Sequence, residues 1–248
     1  MKSILSLVFS LILVFVLSAV AFAQSENATI PERNGDFAVP GRNDVRVRVF
    51  VHEPKERPTL STSAVCEDGS SDALVGPAGW KLPSGTWKYK INPSSVPSSV
   101  GGNNLAPITS NSFSKWVSAI NASSTPNLVS DGTTSKTRNA LDYENIITWG
   151  RTSGSALGVT YVWYYTATHL VADVDTIMNK KFAWSLACSS TSYNAEDILI
   201  HELGHWFGLD DEYDAAYSNN TMFGSGTKAE IKKITLENGD KAGIDLIY

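Results

Sequence analysis

Three residues of catalytic type stand close together in the run His201-Glu202-Leu203-Gly204-His205-Trp206-Phe207-Gly208-Leu209-Asp210-Asp211. On a helix, His201 and His205 are four apart, so both imidazoles leave the same face one turn apart and can grip one cation. Glu202, rotated about 100° from His201, falls beside that cation rather than on it. A carboxylate there can take a proton from an activated water instead of filling a coordination position. A hydrolytic zinc uses three protein ligands and keeps a position open, so one ligand is still to be found. Gly208 indicates where, because glycine ends helices by accepting a left-handed conformation at little cost. A chain turning at Gly208 can bring back Asp211, three residues on, with a carboxylate oxygen as zinc ligand. Asp210, its neighbour, is equally competent by chemistry alone, and Glu212 is a weaker rival. Outside the run the only histidines are His52 and His169.

The flanking residues supply the helix that this chemistry needs. Asn194 is a good N-cap, Glu196 and Asp197 in the first turn favour the helix dipole, and Ile198 to Leu203 continue the element. Earlier, Trp87, Tyr89 and Ile91 alternate with polar residues and predict a first strand. Residues 92–112 read as a Pro/Ser/Gly/Asn loop. Phe113, Trp116, Val117 and Ile120 then fall at helical spacing, an amphipathic helix entered through Thr109 to Ser112. Asn145 to Trp149, Val159 to Tyr165 and Val171 to Met178 read as strands, the last two joined by a turn around Thr166 to His169. Phe182 to Leu186 reads as a further short strand. The fold class expected is α+β.

The N-terminus bears on compartment. Lys2 precedes an apolar run over residues 4–23 that ends Ala21-Phe22-Ala23 before polar Gln24-Ser25-Glu26. This pattern predicts a signal peptide over residues 1–23 and a secreted, extracellular product without a membrane anchor. Its removal takes Lys2 with it and moves the formal net charge from −5 to −6. A mildly acidic chain without a basic block makes nucleic acid or an anionic membrane surface a poor partner. Residues 24–75 read as an extension or propeptide, polar except for the alternating Val45-Arg46-Val47-Arg48-Val49-Phe50-Val51, a strand that must pair with something. Residues 76–248 form the main domain. The two cysteines, Cys66 and Cys188, are in a secreted chain most simply a disulfide.

The run from His201 to Asp211 resembles the metzincin signature, His-Glu-x-x-His-x-x-Gly-x-x-His/Asp. Thr221-Met222-Phe223-Gly224-Ser225-Gly226 is similar to the Met-turn beneath the metal in that clan. The segments Asn145–Gly150, Thr160–Tyr164, Ala172–Asp175 with Asn179, and Trp184-Ser185 resemble the strands of matrixin-like peptidases. Leu236 to Tyr248 resembles their C-terminal helix. The resemblance spans about residues 79–248. It implies a twisted mixed sheet with one antiparallel edge strand, an active-site helix and a C-terminal helix. It also implies a monomeric zinc metalloendopeptidase with Glu202 as general base, His201, His205 and Asp211 as metal ligands, and in some members a structural calcium, here without assigned ligands. A protein or peptide substrate would lie extended along the edge strand, near Phe182 to Leu186. Two departures stand out. Asp211 replaces the His of vertebrate matrixins, and their cysteine-switch sequence is absent around Cys66. A Cys66 thiolate on the metal therefore stays open as the rival to the disulfide. The competing function is a secreted peptide-binding protein that keeps the fold without catalysis.

Overall fold

The computed structural model describes residues 30–55, 66–123 and 125–248; the expected signal peptide lies outside them. Among these residues the chain is α+β. Its strands are β1 (Gly35–Val39), β2 (Arg42–Pro54), β3 (Gly85–Ile91), β4 (Pro126–Thr133), β5 (Ile146–Gly150), β6 (Gly158–Tyr165), β7 (Val171–Asn179), β8 (Trp184–Ser185), β9 (Tyr193–Asn194) and β10 (Ser225–Gly226). Its helices are α1 (Leu105–Ser118), α2 (Ala195–Phe207) and α3 (Asn238–Asp245). No helix among the described residues is long and apolar enough to cross a membrane.

The large sheet runs β1-β2-β6-β7-β5-β3-β4, with β10 also paired to β2. The pairs β3–β4, β3–β5 and β5–β7 are parallel, whereas β6 is antiparallel to β7 and to β2. The antiparallel strand of the large sheet is β6 rather than the expected segment near Phe182 to Leu186, and it is not at the edge, because β2 pairs along its outer side and β1 lies beyond. The strand expected over Phe182 to Leu186 shrinks to β8, which pairs with β9 outside the large sheet.

α1 and α2 pack on one face of the sheet. Phe113 meets Trp206 at 5.2 Å between ring centroids, and the Trp116 indole donates to the Ile200 carbonyl at 2.9 Å. Both α1 aromatics are buried, each such burial stabilising by about 1.5–3 kcal/mol. The helix starts at Leu105, well before the Thr109 to Ser112 entry expected, and part of the expected loop is core. Leu105 and Ile108 are buried, and Ser112 is accommodated by donating to the Ile108 carbonyl.

Asp173 and Asp175 on β7 would ordinarily face solvent; both are buried instead. Asp175 accepts from the amides of Ala140 and Ile146, and Asp173 from those of Asp142 and Tyr143. They pin the loop ahead of β5 to the sheet. Burial pushes the Asp173 carboxyl up to about 6, and burial together with the neighbouring Asp173 charge holds Asp175 well above the usual carboxylate range.

Cys66 and Cys188 are disulfide-bonded, with Cα atoms 5.8 Å apart, which removes Cys66 as a metal thiolate. From there residues 71–82 run across the C-terminal part of the fold. Val75 donates to Gly239, Ala78 to Gly208 and Lys81 to His169. The bond closes a loop spanning 122 positions. Cys66→Ser/Cys188→Ser is expected to lower unfolding free energy by up to about 4–5 kcal/mol by the chain-entropy argument, read as a lower urea midpoint.

Candidate metal centre

α2 begins where its sequence says it should. The Asn194 side chain accepts from the amides of Glu196 and Asp197. The helix stops at Gly208, whose φ of 102° is left-handed, and an added Cβ there would strike the Trp80 carbonyl. Trp80 in turn donates from its indole to the His205 carbonyl. The turn is therefore held from both sides, and the chain after it is brought back toward the helix.

Two backbone carbonyls orient the imidazoles. His201 Nδ1 lies 2.8 Å from the Thr221 carbonyl and His205 Nδ1 lies 2.9 Å from that of Leu209. A carbonyl can only accept, so each Nδ1 carries the proton and each Nε2 presents a lone pair to the site. Asp211 Oδ1 lies 3.2 Å from His201 Nε2 and 3.5 Å from His205 Nε2. All three atoms are buried and without a hydrogen-bond partner, and the three residues offer ligand atoms within 4.8 Å of one another. Two nitrogens and a carboxylate oxygen, buried and without partners, are a ligand set that could hold one metal ion. The other Asp211 oxygen accepts from the Tyr213 hydroxyl at 3.0 Å.

The alternatives point elsewhere. Asp210 is partly exposed and pairs with Arg48 at 3.2 Å. Glu212 accepts from the Gly76 amide. His169 is exposed, with Nδ1 at 2.7 Å from the Gly79 carbonyl.

Glu202 is buried beside the triad. Thr160 on β6 donates to its Oε2 at 2.6 Å, Thr160 meets Thr176 at 2.8 Å, and Trp206 donates to Thr176 at 2.9 Å. An indole can only donate and a carboxylate only accept, so the hydroxyl protons of this chain run from Trp206 toward Glu202. Its Oε1 is left without a partner. Burial raises the Glu202 carboxyl to about 7 and lowers the His205 imidazole to about 3, both favouring neutral forms. Burial opposes ionisation of Asp211 as well, but the two imidazoles outweigh it and hold the carboxyl below its usual range.

Met222 is buried, with its thioether against Gly204, the residue before His205. Asp240, near the start of α3, accepts from the amides of Thr221 and Met222. It thereby fixes the carbonyl that orients His201. β2 contributes residues that the motif gives no hint of. The Phe50 ring stacks on His205 at 3.7 Å and 6°, and His52 meets His201 edge-on at 4.0 Å. His52 sits in the extension and sequence spacing alone sets it aside; the only signal for it is the strand alternation around Phe50.

No family model matches the chain. No curated protein matches it either.

Proposed function

We propose that the chain is a secreted zinc-dependent endopeptidase of matrixin-like, metzincin type, hydrolysing internal peptide bonds of proteins. The observation that carries this reading is the convergence of His201, His205 and Asp211 on one buried point, with Glu202 alongside. Zinc bound there would supply a Lewis acid for a peptide carbonyl and for the attacking water. The chain's own groups do the rest. His201, His205 and Asp211 would hold the zinc through two Nε2 atoms and Oδ1, which are buried and without a hydrogen-bond partner. Thr160 fixes one oxygen of Glu202, leaving Oε1 to take the proton from the attacking water and pass it to the departing amine. Thr221 and Leu209 keep both imidazoles in the tautomer that offers Nε2.

The test is metal content and casein hydrolysis on the purified chain. One zinc per chain is expected, with hydrolysis lost to 1,10-phenanthroline and restored by zinc. Zinc binding without hydrolysis in any form of the chain would leave the peptide-binding alternative in its place.

A further inference from the structure

β2 lies along β6 over eight consecutive positions, Val45 opposite Tyr165 through His52 opposite Gly158, antiparallel. This is how an extended peptide adds to a sheet edge, with main-chain hydrogen bonds for affinity and alternate side chains reading the site. The alternation along β2 sorts its side chains into two sets. Val45, Val47, Val49 and Val51 belong to one buried apolar cluster. Arg48, Phe50 and His52 point to the metal side, where Arg48 pairs with Asp210, Phe50 covers His205 and His52 abuts His201. His52 is 1% exposed and neither of its ring nitrogens has a hydrogen-bond partner. His52, His201 and Glu202 offer ligand atoms within 4.8 Å of one another, so His52 stands on the Glu202 side of the centre. Further along, β10 pairs with the end of β2, and Lys55 donates to the Gly226 carbonyl. On the outer side, Asn34 accepts from the Val51 amide and donates to Tyr213, the residue that holds Asp211.

We infer that β2 is an intrachain occupant of the peptide-binding edge of β6, and that Phe50 and His52 close the metal centre until this strand is displaced. The inference rests on the peptidase reading and adds to it how the site is kept shut in a chain whose only two cysteines are bonded to each other. A substrate peptide and β2 compete for the same β6 edge. With β2 in place Glu202 faces His52, where the attacking water has to stand. The Cys66–Cys188 bond keeps residues from 66 onward on the domain when β2 leaves.

The test compares the full chain with its Phe50→Ala/His52→Ala variant, both checked for cooperative thermal unfolding. Zinc uptake, zinc release to 4-(2-pyridylazo)resorcinol and hydrolysis of a quenched fluorogenic peptide are timed. A site shut for most of the time gains in proportion to the open fraction. Uptake, release and hydrolysis are therefore all expected to rise, on the order of tenfold or more. Faster release without faster uptake would mean a weakened site rather than an opened one, and would overturn the inference, as would no change in either. Should the double variant fail to fold, His52→Gln is followed by the same three rates, and the same results support or overturn the closure. Uptake and release that both quicken with no hydrolysis in either chain would support the closure and sink the peptidase reading.

Discussion

Glu202→Gln is expected to leave zinc bound at one per chain and to cut peptide hydrolysis by about 10²–10⁴-fold or more, the range of a lost general base. The amide keeps the volume of the carboxyl and can still accept from Thr160, which holds Oε2 at 2.6 Å. It cannot take a proton. The measurement belongs on whichever form of the chain hydrolyses, intact or opened at β2, with metal content read on the same sample. Activity within about tenfold of the parent, below the usual worth of a general base, would remove Glu202 from the chemistry.

Asp211→Ala is expected to weaken zinc binding by more than about 100-fold, the upper end of what removing a residue that merely orients a ligand costs. Its Oδ1 is the atom set between both Nε2 atoms, at 3.2 and 3.5 Å. Asp210→Ala should leave zinc affinity within a few-fold. That change removes a partly exposed pair with Arg48 and a contact to the Asp211 amide, and such exposed pairs contribute about 0–1 kcal/mol. Competition with a chromophoric chelator reads both variants. The reverse order would move the ligand to Asp210.

Helical spacing made His201, Glu202 and His205 legible, because which side chains share a helix face is decided within one turn. The three-residue offset from Gly208 suggested Asp211 but left Asp210 standing. What separates them is the held turn: Trp80, Ala78 and Gly208 fix the direction in which the chain returns. The placement of Phe50 and His52 lay beyond sequence reach, since it follows from the register of β2 on β6, a pairing between distant segments. β4 escaped for a different reason: apart from Pro126 its residues are exposed or half-buried, so it carries no alternation to read. The early start of α1 was hidden by the polar Thr109 and Ser112, which are buried although their residue types argue for a loop. The burial of Asp173 and Asp175 is hidden in the same way, because their partners are backbone amides of a distant loop.

The proposed activity is cleavage of internal peptide bonds with a zinc held by His201, His205 and Asp211. The most direct measurement maps the new N-termini produced in a denatured protein substrate by mass spectrometry. The parent chain, the Phe50→Ala/His52→Ala chain and its Glu202→Gln derivative are compared, each with and without 1,10-phenanthroline. The opened chain is expected to make internal cleavages that vanish with the chelator, return with zinc and are missing from the Glu202→Gln derivative. Internal cleavages that persist through both chelation and Glu202→Gln, or none at all from a folded chain loaded with one zinc, would contradict it.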